Sequence, residues 1–357
     1  MTTPDPVPLA STRPFPTSLL HDHLDGGLRV PTILELSDEI DWRLPTTDPD
    51  ELQAWFTRGA DTKDLLQYLA TFDHTLAVMQ TAEHIERVAY EAAIDLATDG
   101  VVYAEVRFAP ELHQQQGLPL PEVVAAVTAG FRRGERDAAA TGGDIWIGAI
   151  LCAMRTEHRS LEIARLVASE REHDDKVLAF DLAGAETGFP PSLHAEALQF
   201  ARQRHLNVTI HASEPPDLEL IDDALVHGAH RIGHGVRLQT DLTIDNGEVV
   251  AMGPLARYVL DRQVPLEMAP TCHVHVGAVA DLPSHPIGPM LRAGFDVSVN
   301  TDNRLMSHVM PSSELQAVTD TFDLTEDERR RLVTNGIMAG FAPLEVRRSI
   351  VERHLGG

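Results

Sequence analysis

The chain has 357 residues, of which 43% are hydrophobic and 23% are charged, a composition typical of a globular protein with a sizeable core. Its formal net charge is -25, and Lys63 and Lys176 are its only lysines, which disfavours binding to nucleic acid or to an anionic membrane surface. No apolar run reaches the roughly 18 residues of a membrane span, so we expect no membrane insertion.

Residues 1–16, MTTPDPVPLASTRPFP, carry neither a basic start nor an apolar stretch. They do not resemble a secretory signal, and their prolines predict a flexible tail. Two cysteines, Cys152 and Cys272, are too few for a disulfide framework, so we expect buried thiols and a cytoplasmic location. Without an internal repeat or a linker, residues 17–357 are predicted to form a single domain.

After the tail, short β-rich runs alternate with longer segments of helical periodicity. The predicted strands are TSLLHDHL (17–24) and residues 101–108, 145–152, 177–182, 207–212, 231–235, 264–269 and 295–301. The predicted helices follow apolar stripes from Leu65 to Met79 and from Ile85 to Leu96, and then cover 122–140, 157–171, 192–205, 217–227, 249–262 and 287–293.

Eight successive strand and helix units predict an α/β protein with the closed parallel architecture of a TIM-type (β/α)8 barrel. The near-continuous apolar character of several strands fits burial on both faces. Three additional C-terminal helices, roughly 312–321, 325–339 and 343–354, are expected to close the barrel and pack outside it. A doubly wound open sheet is the alternative, but no glycine-rich phosphate fingerprint follows the first strand.

Residues that bind metals or move protons stand where four of the predicted strands end, which is where such barrels carry their reactive groups. They are His21, His23, His211, Glu214, His234 and Asp302. Three imidazoles and one carboxylate favour a divalent cation such as zinc. Side chains two apart on a strand face the same way, so His21 and His23 can bind one ion. Glu214 and His234 have the chemistry to transfer protons.

Ordinary structural explanations exist for each candidate taken singly, such as a buried histidine bonded to a carbonyl or an aspartate capping a turn. Their joint placement at strand ends favours a functional site. A second pair, His273 and His275, follows the seventh strand on an expected loop and is not assigned to metal. Lys176 precedes the fourth strand, so the bridging lysine of two-metal barrel hydrolases is missing and one metal is predicted. Motifs of helical zinc proteases and cysteine-ligated base deaminases are also missing.

Six segments of the chain resemble the adenosine deaminase family, and the similarity spans nearly the whole chain. They are HDHLDG (21–26), VVYAEVRFAP (101–110), FDLAGAE (180–186), TIHASE (209–214), RIGHG (231–235) and VNTDN (299–303). The resemblance implies an eight-stranded barrel that binds one zinc ion. It also implies hydrolytic deamination of adenosine, or a close adenine nucleoside, to the inosine-type product and ammonia.

The resemblance also implies roles for single residues. The implied metal ligands are His21, His23, His211 and Asp302. His234 and Asp302 would orient and polarise the attacking water. Glu214 would protonate the ring nitrogen beside the reacting carbon, which requires a carboxyl group of raised pKa.

Four residues are implied to bind the substrate. Asp25, with His23 nearby, matches the group that contacts the sugar 5′ hydroxyl. Gly184 matches a position whose backbone N–H meets a ring nitrogen, and glycine permits that close approach. The amide of Asn303 would donate to the imidazole-ring nitrogen of the purine.

Three departures from the family pattern bear on the substrate. Asn303 replaces a second aspartate, Ser213 replaces a glycine, and Ala269–His273 replaces a segment that reads roughly Cys-Pro-Ser/Thr-Ser-Asn. We expect the last two to change the pocket wall. An elaborated adenine nucleoside, such as aminodeoxyfutalosine or a nucleoside natural product, therefore stays open as substrate, with Arg58 or Arg304 available for an added carboxylate. A non-catalytic binding barrel and an ester- or amide-cleaving barrel hydrolase are further alternatives, which ammonia release would separate.

Overall fold

The computed structural model describes residues 15–63 and 70–356 of the chain. Eight strands in this part form one sheet, and neighbours in the sheet follow the order of the sequence. A two-stranded hairpin is inserted after the sixth barrel strand. The strands are β1 (Thr17–His23), β2 (Val101–Phe108), β3 (Trp146–Met154), β4 (Val177–Ala183), β5 (Asn207–Ala212), β6 (Arg231–His234), the hairpin β7 (Leu242–Asp245) and β8 (Glu248–Met252), β9 (Leu266–Met268) and β10 (Val297–Val299).

All pairs within the eight-stranded sheet are parallel. The first and last strands then meet through a parallel bridge between Asp22 and Asp302. The Asp302 N–H donates to the His21 carbonyl at 2.9 Å, and the Asp302 carbonyl accepts from the His23 N–H at 2.7 Å. This confirms the predicted (β/α)8 barrel, and the alternative of an open doubly wound sheet is wrong.

Helices surround the barrel. They are α1 (Val30–Glu39), α2 (Pro49–Ala60), α3 (Asp73–Ala77), α4 (Ala82–Asp99), α5 (Leu120–Ala140), α6 (Ser160–Glu170), α7 (Ala195–Gln203), α8 (Glu219–Val226), α9 (Pro254–Arg262), α10 (Pro270–His275), α11 (Ile287–Ala293), α12 (Arg304–Ser307), α13 (Pro311–Phe322), α14 (Glu326–Ala339) and α15 (Leu344–His354). Short 3₁₀ turns cover Leu24–Gly26, Ala70–Phe72, Pro110–His113, Pro191–His194, Val236–Asp241 and Leu282–Ser284. None of these described helices is both long and apolar enough to traverse a lipid bilayer.

Local sequence signals explain several boundaries. Thr81 caps α4 by accepting from the His84 N–H, and Gly100 ends that helix with a φ of 95°, a left-handed conformation that suits glycine. β2 starts at the next residue and is buried along its whole length. At the other end of the chain, Thr325 and Glu328 form a capping box that starts α14.

The three predicted C-terminal helices are confirmed as α13, α14 and α15, with ends within two residues of those expected. They pack against the barrel: the Ser18 hydroxyl on β1 donates to the Val333 carbonyl on α14 at 3.1 Å. The predicted tail of residues 1–16 lies outside the described residues apart from Phe15 and Pro16, and its flexibility stays a prediction.

Other parts of the element prediction were incomplete or wrong. Residues 249–252 form a strand instead of the start of a helix, because Asn246 and Gly247 both take positive φ values, which a tight hairpin turn requires. The helix expected to reach Met79 ends at Ala77, and its beginning at Leu65 lies outside the described residues. Helices α1, α2, α10 and α12 were not predicted.

Candidate active site

Four side chains from three strand ends converge on one point. The Nε2 atoms of His23 and His211 lie 3.1 Å apart. Asp302 Oδ1 lies 3.2 Å from His21 Nε2 and 3.4 Å from His23 Nε2. Ligand atoms bound to one tetrahedral zinc at about 2.0–2.1 Å would be about 3.3 Å from one another. The four residues predicted as ligands therefore come together with the spacing of a mononuclear metal site.

Strand geometry brings these imidazoles together. His21 and His23 are two residues apart on β1, and His211 lies on β5. On β6, the neighbour of β5 in the sheet, a side chain at Gly233 would place its Cβ 3.0 Å from His21 Cε1 and 3.1 Å from the His211 Cα. Glycine at this position therefore leaves room for the His21 imidazole and for the backbone of His211.

A layer of buried charges inside the barrel holds two of the imidazoles. The His21 Nδ1 lies 2.9 Å from Glu267, and the His211 Nδ1 lies 3.2 Å from Asp181. Arg107 donates to both carboxylates, at 2.6 Å to Glu267 and 2.8 Å to Asp181. Each carboxylate accepts a hydrogen bond from Nδ1–H, which leaves Nε2 unprotonated and able to bind a metal ion.

Sequence reasoning did not assign Glu267, Asp181 or Arg107, although a signal was present. In buried strands a charged residue is costly unless it is paired, and the run VVYAEVRF places Glu105 and Arg107 two apart on one face. Arg231 belongs to the same layer, donating at 2.6 Å to both Glu267 and Glu105. All of these side chains are within 1% of full burial.

Burial shapes the protonation of the site. It lowers the pKa of His21 and of His23 well below the ordinary value, with smaller contributions from Arg107 and neighbouring imidazoles. Burial raises the pKa of Glu214 well above its usual range, and the carboxylates of Asp302 and Glu186 raise it further. The predicted direction for the Glu214 pKa is therefore confirmed.

Glu214 follows β5 on a turn that another carboxylate holds in place. Glu186 accepts from the backbone N–H groups of Ser213 at 2.7 Å and of Glu214 at 3.3 Å. Glu186 was not assigned from sequence, although it ends the segment FDLAGAE. Its carboxylate orients the turn so that Glu214 reaches the cavity beside the four converging ligands.

Three residues of the site have left-handed backbones, which non-glycine residues rarely adopt. The φ values are 64° at Ser213, 63° at His234 and 58° at Asp302. Such conformations concentrate at functional sites, where the surrounding fold maintains them. The His234 ring lies 4.6 Å from the His21 ring, centroid to centroid, so the predicted site residue His234 joins the cluster.

A cavity of about 210 Å³ opens beside the ligands. Its polar lining includes the four predicted substrate-binding residues His23, Asp25, Gly184 and Asn303. Its apolar wall is formed by Phe72, Leu76, Ala109, Leu112, Met154 and Ala183. A mostly apolar cleft with a few converging polar groups is the usual form of a small-molecule site.

The polar groups of this cavity differ in the contacts that they already make within the protein. Asp25 Oδ1 is buried without a hydrogen-bond partner among the described residues, and burial raises the pKa of Asp25 to about 7. Gly184 has a φ of 93°, and a Cβ there would lie 2.8 Å from Met154 Cε. The Asn303 amide donates to Asp302 Oδ2 at 2.7 Å.

Comparison with known proteins agrees with this geometry. The family profile described as "Adenosine deaminase" matches residues 16–354. The chain belongs to the adenosine deaminase family. An adenosine deaminase of Streptomyces coelicolor is 47% identical over 341 residues, covering 95% of this chain and 86% of the relative. One from Mycobacterium leprae is 44% identical over 349 residues, covering 97% and 96%.

Solved structures confirm the fold. An adenine deaminase from Arthrobacter aurescens has a TM-score of 0.80 at 24% identity, covering 96% of this chain and 98% of its own. An amidohydrolase from Burkholderia ambifaria, solved with bound Zn, has a TM-score of 0.79 at 22% identity, with coverages of 96% and 90%. Membership of the adenosine deaminase family makes this chain a hydrolytic deaminase, as predicted, and its His and Asp cluster a metal site.

Ser213 and the segment 269–273, two departures from the adenosine deaminase pattern, were expected to change the wall of the cavity. The Ser213 hydroxyl donates to the Asp217 carbonyl and does not line the cavity. Thr271 is bonded to Glu314 through its N–H and its hydroxyl, both at 2.6 Å. Thr271 itself agrees with the Ser/Thr of the family segment. Neither Ser213 nor any residue of 269–273 lines the cavity, so the expectation that these two departures change the pocket wall is wrong.

Cys272 and His273 contact residues of the reacting centre from behind the cavity wall. The Cys272 thiol lies 2.9 Å from Asp302 Oδ2 and 3.6 Å from Glu214, and both Cys152 and Cys272 are buried thiols as predicted. His273 lies on α10, and its Nε2 is 3.0 Å from His234 Nδ1. Among the residues described, His273 and His275 share no cluster of metal ligands.

The cationic residues considered for other roles lie outside the cavity. Arg304 is buried, and its Nε is 3.1 Å from both carboxylate oxygens of Asp22. Arg58 is exposed on α2. Lys176 pairs with Glu135 just before β4, at the opposite end of the barrel from the ligands. Neither arginine can meet a substrate carboxylate in this cavity.

Proposed function

We propose that the chain is a zinc-dependent adenosine aminohydrolase that converts adenosine to inosine and ammonia. The observation that carries the proposal is the convergence of four ligand atoms beside the Glu214 carboxyl at one wall of a nucleoside-sized cavity. The adenosine deaminases of S. coelicolor and M. leprae, which cover most of this chain, support the same substrate.

Zinc is the proposed ion because three imidazoles and one carboxylate suit a borderline cation of tetrahedral preference. His21, His23, His211 and Asp302 would hold it, with Glu267 and Asp181 orienting two of the imidazoles. When bound, the ion lowers the pKa of the attacking water toward neutrality. The remaining chemistry belongs to side chains of the chain itself.

Glu214 is proposed as the general acid. Burial raises the pKa of Glu214, which favours the protonated carboxyl that this role requires, and that proton is donated to the ring nitrogen next to the reacting carbon. Donation prevents negative charge from accumulating on the purine as the oxygen nucleophile adds. His234 and Asp302 are proposed to orient that nucleophile. The proton released by the attacking water passes to the amino group, which leaves as ammonia, and the hydroxyl proton of the adduct returns to Glu214 as the carbonyl forms.

Substrate contacts are proposed for polar groups that line the cavity. The buried Asp25 carboxyl, with His23 beside it, would bind the sugar 5′ hydroxyl. The Gly184 N–H and the Asn303 amide would contact the purine nitrogens. The apolar wall that includes Phe72 and Met154 would pack against the base and the sugar.

An unphosphorylated nucleoside fits this cavity better than a nucleotide or a substrate with an added carboxylate. No Arg or Lys lines the cavity among the described residues, and the sequence of residues 64–69, DLLQYL, contains neither. Anionic groups on substrates are normally bound by such residues. Elaborated nucleosides that carry an anionic group are therefore disfavoured. A binding barrel without catalysis is disfavoured by the match to adenosine deaminases.

Ammonia release from purified, zinc-loaded protein tests the proposal. We expect rapid release from adenosine and 2′-deoxyadenosine and little from AMP or adenine. Absence of release from every adenine nucleoside would overturn the assignment, and preferential turnover of AMP would overturn the proposed nucleoside specificity. We further propose one domain over residues 17–357 and a cytoplasmic location, the latter supported by two free thiols.

A further inference from the structure

Three histidines form a hydrogen-bonded row that leads away from the cavity. His234 Nδ1 lies 3.0 Å from His273 Nε2, and His273 Nδ1 lies 2.8 Å from His285 Nε2. The three residues are 2%, 0% and 1% exposed, so water does not compete for these bonds. The rings of His273 and His285 are 4° from parallel, which aligns an N–H of one ring with the lone pair of the other.

The far end of this row is fixed by the backbone. The N–H of Ile287, the first residue of α11, donates to His285 Nδ1 at 3.2 Å. An N–H at the start of a helix has no acceptor within the helix, and a backbone N–H can only donate. His285 Nδ1 must therefore accept, and it carries no proton.

That single constraint propagates through the row, because a neutral imidazole has one donor nitrogen and one acceptor nitrogen. With Nδ1 accepting, His285 carries its proton on Nε2 and donates to His273 Nδ1. His273 then carries its proton on Nε2 and donates to His234 Nδ1. His234 in turn holds its proton on Nε2, the nitrogen left for the cavity.

The imidazoles of His273 and His285 are neutral at physiological pH. Burial lowers the pKa of His285 to about 3. It also lowers the pKa of His273 well below its ordinary value, with smaller contributions from His285 and Arg237. No carboxylate is among the hydrogen-bond partners of either ring in the described residues, so nothing in the row favours an imidazolium.

We propose that His273 and His285 are positioning residues that hold His234 in the tautomer protonated at Nε2. The inference rests on the proposed function for its catalytic meaning, but the tautomer itself follows from the hydrogen bonds. Both residues lie outside the cavity lining, and His273 falls in the segment where the chain departs from the adenosine deaminase pattern.

The locked tautomer limits what His234 can do. Its Nε2–H can donate a hydrogen bond to the oxygen that attacks the purine, which stabilises charge on that oxygen. It cannot take up that oxygen's proton, because Nε2 is already protonated. If the His234 proton moved to Nδ1, two N–H donors would point at each other, because His273 Nε2–H lies 3.0 Å from His234 Nδ1. Uptake of the proton from the attacking water is therefore left to the Asp302 carboxylate, because Glu214 is proposed to carry a proton already.

Nitrogen NMR of protein labelled with ¹⁵N-histidine tests the proposal directly, because two-bond couplings to ring protons distinguish the two tautomers. The measurement is made on metal-free and on zinc-loaded protein, so it does not depend on turnover. Single substitutions of His234, His273 and His285 assign the signals. We expect all three rings to be neutral with the proton on Nε2, and a protonated Nδ1 on any of them would overturn the proposal.

A matched pair of substitutions tests the direction of the row. In His273→Gln the amide nitrogen reaches as far as the imidazole Nε2 and still donates to His234. In His273→Glu, measured over a pH range in which the new carboxyl group ionises, a nearly isosteric carboxylate can only accept. We expect His234 to keep its Nε2 proton in the glutamine variant and to protonate Nδ1 in the glutamate variant. The same His234 tautomer in both variants would overturn the role of His273.

Turnover separates this inference from the proposed function. We expect kcat for adenosine to be about 100-fold lower in His273→Glu than in His273→Gln, with KM nearly equal, as for loss of an oxyanion donor. Equal kcat values would overturn the catalytic meaning of the row. If the wild-type protein shows the expected tautomers but releases no ammonia from any adenine nucleoside, the proposed function fails while the tautomer assignment stands.

Discussion

Arg107 donates to Glu267 at 2.6 Å in the interior of the barrel, and neither side chain has exposed surface. Glu267 also accepts from His21 Nδ1 at 2.9 Å. Burying an ion pair in this way costs desolvation free energy. If one partner is removed, the other remains as a buried charge without a counter-charge. The pair therefore links the stability of the barrel to the orientation of a metal ligand.

Glu267→Gln should weaken both properties. We expect the free energy of unfolding to fall by about 3–5 kcal/mol, because Arg107 and Arg231 lose a buried counter-charge. Zinc affinity should fall about 10–100-fold, because the His21 imidazole loses its carboxylate. Urea unfolding and competitive zinc titration measure the two effects. Glu86→Gln, which breaks a half-exposed pair with Arg133, is the control and should cost less than about 1 kcal/mol.

Glu214→Gln should remove the general acid and leave the metal site intact. We expect kcat for adenosine to fall about 10²–10⁴-fold, because an amide cannot supply the proton to the ring nitrogen. Ammonia release and zinc content are measured on the same preparation. Glu196→Gln, the same change on the exposed side of α7, should retain full activity. Turnover of Glu214→Gln close to that of the wild type would contradict the role.

Removal of metal should lower the thermal unfolding temperature reversibly. A ligand present at 100 times its Kd stabilises the folded state by about 2.7 kcal/mol, and chelation removes that contribution. Calorimetry with and without chelator, followed by zinc addition, measures the shift. In His211→Ala, which deletes one of the four converging ligands, the shift should shrink strongly; an undiminished shift would place the ion elsewhere.

Ser213→Gly should leave catalysis unchanged. The Ser213 side chain faces the Asp217 carbonyl instead of the cavity, so we expect kcat and KM for adenosine within about twofold of the wild type. Glycine relieves the strain of the left-handed backbone at φ 64°, which raises the free energy of unfolding, whereas loss of the serine hydrogen bond lowers it. The free energy of unfolding should therefore change by less than about 1 kcal/mol. Steady-state kinetics and urea unfolding check both expectations, and a large change in KM would show that Ser213 contacts the substrate.

Asp296→Asn should alter the pH dependence of stability. Burial raises the pKa of Asp296 to about 6, an effect that Arg331 and Arg231 only partly oppose. Because the pKa is raised on folding, the stabilisation is present below about pH 4 and is lost as pH rises through about 6. We expect the variant to be more stable than the wild type at pH 8, by up to about 3 kcal/mol, and the difference to disappear near pH 4. Urea unfolding of both proteins from about pH 4 to about pH 8 measures the effect. A difference in the free energy of unfolding that is the same at every pH would contradict the prediction.

The barrel could be predicted because parallel strands buried on both faces leave a clear apolar pattern between helical stripes. Boundaries such as Asp99–Gly100 are marked by local chemistry. The hairpin around Asn246 was missed because its strands are largely exposed and continue into the apolar stripe of α9. Helices α1 and α2 were missed because no strand separates them from the helix expected near Leu65.

The ligands could be predicted because imidazole and carboxylate groups at strand ends are recognisable without coordinates. The hydrogen-bond partners of these ligands could not be predicted, because they depend on which distant strands lie side by side in the barrel. Glu267 meets His21, and His273 meets His234, only because the barrel brings β1, β6 and the segments around β9 together. The direction of the Ser213 side chain could not be predicted, because it depends on a positive φ that the sequence does not reveal.

Closure of the barrel by Asp302 against β1 has a consequence for biosynthesis. His21 and His23 leave the ribosome early, whereas Asp302 is made after nearly all of the barrel. A nascent chain therefore contains the imidazoles long before the carboxylate that completes the ion's coordination. Chains that terminate before β10 lack both the closing bridge and the fourth ligand, so the complete set of four ligands exists only in chains that extend past Asp302.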